Sequence, residues 1–406
     1  MKVLQVNVVY KKGSTGKIVY DIHTELLKNG IESKVYYGRG NNVNEPNICK
    51  ISPEWLMKIQ SIRSRLTGYV YGGCIISTNR LIKFIDKEKP DVVHLHCLNG
   101  YFVNIYRLLN YLKLKNIKTV LTLHAEFMYT AGCSYSYDCE QWKTGCCAEN
   151  NVCPGYNTLR PKSWIFNRCN SEWNSMKKVF SKFDNLTICP VSDWVKERAK
   201  QSPFLNDKKF ITVMNGLDTS IFKLNDFKYI KEKYGIDNEK IILHVTPNFT
   251  SEIKGGKYVI ELAKRFINDN NVKFIIVGFN GDIHNMPSNI IPVKHTSNQS
   301  ELAAYYSMAD ITLLTSKKET FSMVCAESLC CGTPIVGFKA GAPETIAIES
   351  YSEFVEYGDI DSLESIIRSW LHNEVLDKNN IAYVSKNTYC RENMFNKYMS
   401  IYEEMN

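Results

Sequence analysis

Two successive blocks of alternating strand and helix patterns constrain the fold of this chain more than any other feature does. The first block starts with an apolar strand at Val3–Val9, and the second extends over residues 240–338. Such alternation is typical of a parallel sheet whose strands are connected by helices on both faces. At 406 residues, the chain is also longer than a single hydrophobic core usually supports. We therefore predict an α/β fold of two doubly wound domains.

The segment Asn215-Gly216-Leu217-Asp218 interrupts this alternation directly after a predicted strand at Phe210–Met214. A break between two periodic blocks is typical of a domain boundary or hinge. We place the N-terminal domain at residues 1–214 and the C-terminal domain at residues 215–385. Residues 386–406 contain the last predicted helix of the chain.

The stretch Thr315–Gly341 carries two glutamates around a predicted helix N-terminus. Ser322 can cap a helix over Met323–Cys331, so Glu319 lies just before the helix and Glu327 about one turn inside it. A helix N-terminus offers free N–H groups and a partial positive charge, which suit a phosphate.

Each part of this stretch matches a part of a nucleotide sugar. The amides of Met323 and Val324 suit the diphosphate, and the carboxylate of Glu327 can accept hydrogen bonds from a ribose diol. Glu319 can meet a second set of hydroxyls or a cationic neighbour. The pattern therefore indicates a nucleotide-sugar site, and a solvated glutamate on a helix face is the alternative for Glu327.

Three further motifs follow predicted strands, where open α/β sheets bind their ligands. Lys254 and Gly255 precede a helix and suit a diphosphate, unless the lysine is simply an exposed one. Gly13 and Gly16 form a predicted tight turn that lets a ligand approach the backbone, and an ordinary βα turn is the alternative. His124 ends a strand, where a structural histidine is the alternative to a ligand-binding one.

These residues together resemble a known enzyme family. Glu319 and Glu327 with seven residues between them, followed by Cys-Gly-Thr-Pro at 331–334, resemble the E-x7-E signature of retaining GT-B glycosyltransferases of family 4. Other matches, spread over most of the chain in the family's order, are Gly13–Gly16, His124, Asn215–Asp218 and Lys254-Gly255. The segment 133–154, which includes Trp142-Lys143-Thr144-Gly145-Cys146, further resembles a colanic-acid or capsular polysaccharide subgroup.

The resemblance implies a GT-B fold, in which two doubly wound, Rossmann-like domains face each other across a cleft. It implies that the N-terminal domain binds the acceptor, that the C-terminal domain binds the nucleotide sugar, and that the terminal helix packs back on the N-terminal domain. It assigns catalytic roles to His124, Glu319 and Lys254. The donor-binding positions are Gly13, Gly16, Asn215, Lys254, Gly255, Ser322, Met323, Val324 and Glu327.

The resemblance also implies catalysis without a cofactor or a metal ion. The sequence contains an Asp-x-Asp pair, Asp359 and Asp361, but it lies in a late loop rather than after an early strand. We therefore expect basic side chains and helix N-termini to neutralise the diphosphate.

Two positions depart from the family pattern. Ala125 follows His124 where the subgroup often has Asp, so that carboxylate is lost or its role passes to Glu126. The family's usual Arg is absent from residues 247–253, so the diphosphate depends more on Lys254, on the helix amides or on another basic group.

The charge of the chain is unevenly distributed. Residues 1–200 carry 29 basic and 16 acidic side chains, whereas residues 201–406 carry 21 and 26. A basic half favours an anionic partner, such as a phospholipid surface, a lipid diphosphate or nucleic acid. The alternative is that lysines merely solvate helix faces. We predict an anionic membrane surface and no nucleic-acid partner.

Residues 53–70 form a basic amphipathic pattern with Lys58, Arg63 and Arg65 beside an apolar stripe. The stripe suits either a helix that faces the protein core or one that docks on a membrane. Its apolar residues are Trp55, Leu56, Ile59, Ile62 and Leu66.

The expected chemical state of the cysteines depends on the cellular compartment of the protein. The N-terminus resembles a short strand rather than a signal peptide, and no run approaches the roughly 18 apolar residues of a membrane span, so we expect a cytoplasmic protein. Fourteen cysteines then indicate thiols or a metal site. Cys133, Cys139, Cys146 and Cys153, with Cys147 nearby, could hold a structural zinc ion, although their spacing lacks paired C-x2-C motifs. Reduced thiols are the alternative.

The sequence as a whole predicts a retaining, metal-independent hexosyl- or deoxyhexosyltransferase for a capsule, exopolysaccharide or lipopolysaccharide. Its expected donor is a nucleoside diphosphate sugar, and its expected acceptor is a saccharide, in particular one linked to polyprenyl diphosphate. We expect a peripheral position on the inner face of the plasma membrane. The alternatives are a GT-B-fold sugar epimerase and a catalytically inactive partner that binds a nucleotide sugar.

Overall fold

A computed structural model describes residues 1–147, 153–155, 158–284, 286–372 and 376–405. The chain divides into two compact units. The first unit contains Met1–Met214 together with Phe395–Asn406, and the second contains Asn215–Met394. Residues 386–394 therefore belong to the second unit.

The first unit is built on seven parallel strands in the order β3-β2-β1-β4-β5-β6-β7. These strands are β1 (Lys2–Asn7), β2 (Glu32–Tyr37), β3 (Ile48–Lys50), β4 (Val92–Leu95), β5 (Thr119–Leu123), β6 (Leu186–Pro190) and β7 (Lys209–Phe210). Its helices are α1 (Gly13–Lys28), α2 (Glu54–Thr67), α3 (Ile75–Glu88), α4 (Ile105–Leu114), α5 (Phe127–Thr130), α6 (Cys169–Phe180) and α7 (Asp193–Ala199).

The central strands β1, β4, β5 and β6 are mostly apolar and are buried along almost their whole length, as expected for a parallel sheet with helices on both faces. Leu4 of β1 pairs with Lys34 of β2 on one side and with Val93 of β4 on the other. The strand order reverses between β1 and β4, and such a switch point is where open α/β sheets bind ligands.

The second unit has a six-stranded parallel sheet in the order β10-β9-β8-β11-β12-β13. Its strands are β8 (Lys240–Val245), β9 (Val272–Val277), β10 (Ile290–Val293), β11 (Ile311–Leu314), β12 (Ile335–Phe338) and β13 (Ser352–Val355). Its helices are α8 (Lys228–Tyr234), α9 (Gly256–Arg265), α10 (Gln299–Met308), α11 (Met323–Cys330), α12 (Pro343–Ile346), α13 (Ile360–His372) and α14 (Lys378–Tyr389). The switch point of this sheet lies between β8 and β11.

The final helix, α15 (Arg391–Met405), contributes its residues from Phe395 onward to the first unit. The hydroxyl of Tyr402 lies 2.6 Å from Nδ1 of His94 in β4, and the hydroxyl of Tyr398 lies 2.8 Å from Oγ1 of Thr122 in β5. Both tyrosines are buried. These paired polar groups fix the helix on the sheet without leaving buried hydroxyls unsatisfied.

The prediction of two doubly wound α/β units is confirmed. The predicted turn at Gly13–Gly16 is wrong, because these residues form the first turn of α1. In the part of the chain that the structure describes, no helix combines the length and the apolar composition needed to cross a bilayer.

Candidate active site

Lys254 and Glu319 come together at the switch point of the second unit. Lys254 ends a short 3-10 helix after β8, and Glu319 lies in the loop after β11. Because β8 and β11 are neighbours in a parallel sheet, the loops at their carboxyl ends lie side by side. The ammonium nitrogen of Lys254 lies 2.6 Å from Oε1 of Glu319, and both side chains are partly buried. This pair offers a cation and a carboxylate at the place where α/β sheets bind ligands.

Backbone contacts hold the two loops at this spacing. The hydroxyl of Thr315 donates to the carbonyl of Lys254 at 3.0 Å, and the amide of Lys317 donates to the carbonyl of Ile253 at 2.8 Å. Gly255 has φ +69°, and a Cβ there would lie 2.1 Å from the carbonyl oxygen of Thr315. A side chain at this position would therefore push the Lys254 loop away from the Glu319 loop.

The loop after β12 also fixes Glu319. Its amide donates to the carbonyl of Ala340 at 2.9 Å, and its carbonyl accepts from the amide of Ala342 at 3.2 Å. Glu344 accepts from the amides of Ala340 and Gly341 and so fixes this third loop. Three loops therefore position the carboxylate of Glu319.

Ser322 precedes α11 in an unusual backbone conformation, with φ 77° and ψ 90°. Its side chain makes no capping hydrogen bond, so the predicted capping by its hydroxyl is wrong. A non-glycine residue with positive φ costs about 1–3 kcal/mol, and such strain concentrates at functional sites. The helix begins at Met323, so the first backbone amides, including that of Val324, have no partner within the helix.

Glu327 lies in α11, where its Oε2 accepts a hydrogen bond of 3.0 Å from the hydroxyl of Tyr306 in α10. Tyr306 is fully buried, and burial together with the charge of Glu327 raises its pKa well above the usual value. The phenol is therefore a permanent donor that orients the carboxylate. Glu327 is partly exposed, so it can still accept from a ligand.

A cavity of about 370 Å³ adjoins the Gly255 turn. The rings of Phe249 and Phe279 line it, together with Asp282 and Met286. The centroids of the two rings are 5.1 Å apart, so they form one aromatic wall. Lys254, Glu319 and Glu327 do not line this cavity.

His124 lies at the carboxyl end of β5 in the first unit, and its Nε2 is 3.2 Å from Nδ1 of His96. Burial lowers the pKa of His124 to about 4 and that of His96 well below its usual value, so both rings are neutral at pH 7. The amide group of Gln5 donates to the carbonyl of Val19, so its oxygen accepts from Nε2–H of His96. Nδ1 of His96 must then accept, and His124 donates through Nε2. This chain of hydrogen bonds assigns the lone pair of His124 to Nδ1.

The remaining predicted donor-binding residues are Gly13 and Gly16 in the first unit and Asn215 at the start of the second unit. Gly13 has φ +65°, and a Cβ there would meet nothing within 4 Å. Gly16 packs closely against the loop after β1, and its carbonyl accepts from the amide of Lys11 at 3.0 Å. Asn215 is the first residue of the second unit and is buried.

Two further carboxylates, Glu126 beside Ala125 and Asp361 of the Asp-x-Asp pair, contact other residues of the protein. Glu126 is fully buried, where its Oε2 accepts from the amide of Ser136 and lies 3.4 Å from Nη2 of Arg198. It therefore cannot replace the carboxylate that Ala125 lacks. Asp361 pairs with Arg265 at 2.5 Å.

The predicted zinc ligands Cys133, Cys139, Cys146 and Cys153 are not assembled into one site, so zinc on that set is not supported. The sulfur atoms of Cys147, Cys153 and Cys169 lie within 4.8 Å of one another instead. Cys169 starts α6 and belongs to another segment, so spacing within the 133–153 cluster could not reveal it.

The apolar stripe of α2 faces solvent, so the core-facing interpretation of this helix is wrong. Only Met57 and Ser64 of the helix are buried, whereas Trp55 is 62% exposed. The amide of Trp164 donates to the carbonyl of Arg65 at 2.7 Å, which places a second exposed apolar segment beside the helix. We call the combined set the α2 surface: Trp55, Ile59, Ile62, Leu66, Trp164, Ile165 and Phe166.

Sequence patterns did not identify Tyr306 or His96 as neighbours of the candidate residues. Tyr306 is one of two adjacent tyrosines that follow Leu302, Ala303 and Ala304, so it resembles a core residue. The signal for His96 was available, because it follows a strand as His124 does.

Two family models match the chain. The model described as Glycosyltransferase Family 4 matches residues 15–221, and the model described as Glycosyl transferases group 1 matches residues 226–388. The first match alone covers more than half of the chain.

Curated proteins and solved structures give consistent matches. The chain is 20% identical to WcaC of Escherichia coli K12, named as a colanic acid biosynthesis glycosyl transferase, over 100% of both chains. It is 23% identical to alpha-monoglucosyldiacylglycerol synthase of Acholeplasma laidlawii, over 72% of this chain and 68% of the relative. The structure of Anabaena HepE in complex with UDP-glucose matches with a TM-score of 0.66 at 11% identity and covers 100% of both chains. This similarity shows that the fold is that of GT-B glycosyltransferases.

Proposed function

The chain belongs to glycosyltransferase family 4, and we propose that it transfers a sugar from a nucleoside diphosphate sugar to a saccharide acceptor in surface polysaccharide synthesis. The observation that carries this proposal is the pairing of Lys254 with Glu319 beside the N-terminus of α11, at a switch point of the second unit. The UDP-glucose complex of HepE and the name of the colanic acid relative support the donor and the pathway class.

The second unit supplies the groups that a nucleotide sugar needs. Lys254 and the first amides of α11, at Met323 and Val324, neutralise the diphosphate as the glycosyl bond breaks. Glu327, oriented by Tyr306, holds the ribose hydroxyls. Glu319 contacts the transferred sugar.

We assign a retaining, metal-independent mechanism in which the leaving phosphate accepts the proton of the acceptor hydroxyl. The new glycosidic bond then forms on the face from which the diphosphate departs. No protein nucleophile takes part, so the rate depends on positioning and on the electrostatic stabilisation of the diphosphate. His124 contacts the transferred sugar, which is a hexose or a deoxyhexose.

The acceptor is proposed to be linked to a lipid, and the α2 surface is proposed to dock on an anionic bilayer. A basic first unit, with Lys58, Arg63 and Arg65 exposed beside the apolar side chains, is complementary to an anionic surface. One curated relative is named for the synthesis of a glycosylated diacylglycerol, which is a membrane lipid.

The experiment that tests the proposed function is a two-step assay. A thermal-shift screen of UDP- and GDP-sugars first identifies the donor, because a ligand that binds the native state raises stability by mass action. Single-turnover incubation of that donor with a mixed pool of lipid-linked saccharides should then release one nucleoside diphosphate per sugar transferred. Donor binding without release in the presence of acceptor would favour the inactive binding partner.

A further inference from the structure

The cysteines of the first unit form a cluster that the proposed sugar transfer does not use. Cys153 and Cys169 are buried and Cys147 is partly exposed, and their three sulfur atoms lie within 4.8 Å of one another. Zinc–sulfur bonds of about 2.3 Å in a tetrahedral site place sulfur atoms about 3.8 Å apart. The three sulfurs therefore need to move by about 1 Å or less to reach that spacing.

From this geometry we propose that Cys147, Cys153 and Cys169 bind one thiophilic divalent cation of the zinc type. Three thiolates are the protein ligands, and a non-cysteine ligand such as water fills the fourth tetrahedral position. Binding releases the thiol protons as the thiolates form. The set differs from the one that the sequence suggested, because it keeps Cys153, adds Cys147 and Cys169, and leaves out Cys133, Cys139 and Cys146.

The surroundings of the cluster suit a negatively charged metal–thiolate group. Nδ2 of Asn167 donates to the sulfur of Cys147 at 3.9 Å, and its Oδ1 accepts from the amide of Cys169 at 3.0 Å. The buried guanidinium of Arg160, which also pairs with the buried carboxylate of Glu172, interacts electrostatically with both Cys153 and Cys169. The contacts of Asn167 orient two of the ligands, and Arg160 offsets part of the charge that the thiolates bring.

A metal ion at this position would have a structural effect. It would tie Cys147 and Cys153 to the first turn of α6 and so close the loop that carries Trp164, Ile165 and Phe166. Closing a loop lowers the entropy of the unfolded chain, so the bound ion would stabilise the first unit.

The test measures metal content after the purified chain is loaded with zinc and desalted. We expect one ion per chain, loss of that ion in Cys147→Ser and in Cys169→Ser, and retention in Cys139→Ser. Cys139 is a matched control because it is a partly exposed thiol of the same segment that lies outside the cluster. A metal content far below one ion per chain would overturn the proposal.

A second measurement avoids variants that fail to fold. The intact chain is alkylated before and after treatment with a chelator, and the modified cysteines are mapped on peptides. Chelation should raise the reactivity of Cys147, Cys153 and Cys169 and leave that of Cys139 unchanged. If chelation instead exposes Cys133, Cys139 and Cys146, the ligand set proposed here is wrong.

Discussion

The ammonium nitrogen of Lys254 lies 2.6 Å from the carboxylate of Glu319, although 65 positions separate the two residues in the chain. Each side chain neutralises the charge of the other. In the proposed function, a nucleotide sugar would offer a diphosphate to the lysine and hydroxyls to the glutamate, so donor binding would exchange one ion pair for two charge-assisted contacts. Because the side chains are only partly buried, the pair itself adds little to stability.

Replacing Lys254 with glutamine should weaken the binding of nucleoside diphosphate about tenfold or more, because it removes the cation assigned to the diphosphate. The melting temperature should change little. Lys257→Gln is the matched control, since Lys257 is an exposed lysine at the start of α9. Equal loss of affinity in both variants, measured by titration calorimetry, would show that general charge rather than position matters.

The substitution Gly255→Ala should lower the free energy of unfolding by about 3 kcal/mol or more and reduce sugar transfer, since its Cβ would clash with the carbonyl of Thr315. Gly235 has a similar φ of +60°, but a Cβ there meets nothing within 4 Å. Gly235→Ala should therefore lower the free energy of unfolding by only about 1–2 kcal/mol, which is the cost of placing a Cβ in the left-handed conformation. Denaturant unfolding of both variants measures the difference, and equal costs would contradict the proposed contact.

Acid should destabilise the first unit through buried histidines. Burial lowers the pKa of His23 to about 4, whereas its unfolded value is about 6.5. As the pH falls below 6.5, the unfolded chain takes up a proton and the folded chain does not, so stability falls until the pH reaches about 4. One such histidine lowers the free energy of unfolding by about 2 kcal/mol when the pH falls from 7 to 5.

The variant His23→Gln should therefore show a smaller drop in melting temperature between pH 7 and pH 5 than the parent does. His295→Gln serves as the control, because His295 is exposed. An unchanged drop in the His23 variant would mean that this histidine does not contribute to acid sensitivity.

Vesicle binding should depend on the α2 surface. Trp55→Ser combined with Ile62→Ser should lower co-sedimentation with anionic vesicles about tenfold or more, because both side chains would leave the bilayer. Binding of the parent should also fall with salt. Tyr383→Ser is the control, since Tyr383 is a similarly exposed side chain of the second unit. Equal binding to neutral vesicles, or a dimer that buries these residues, would contradict docking on an anionic membrane.

The sequence predicts the central strands well, because buried parallel strands are mostly apolar and are rich in Val, Ile and Leu. The strand expected at Val3–Val9 corresponds to β1, Lys2–Asn7. The edge strand β3 is short, lacks a buried residue and gives no such signal. The sequence also does not show whether the apolar stripe of α2 faces the core or the outside of the protein, because hydropathy does not distinguish a core partner from solvent or lipid.

For the candidate site, the sequence likewise predicts some features and not others. Local motifs single out Lys254, Glu319 and Glu327, but their contacts depend on which strands are neighbours. The contact between Lys254 and Glu319 requires β8 beside β11, and Tyr306 meets Glu327 only through the packing of α10 on α11. Cys169 joins Cys147 and Cys153 through tertiary packing that spacing alone does not encode.

The most direct measurement of the central claim is the affinity of bare nucleoside diphosphate for the parent, Glu327→Gln and Glu319→Gln. Both substitutions preserve side-chain shape, so the fold should survive. We expect Glu327→Gln to weaken binding about tenfold to hundredfold, since it removes one charge-assisted hydrogen-bonding group worth about 1.5–3 kcal/mol. Glu319→Gln should retain binding and lose turnover, because it is assigned to the sugar. If neither variant changes binding or activity, this stretch is not the donor site and the proposed function is contradicted.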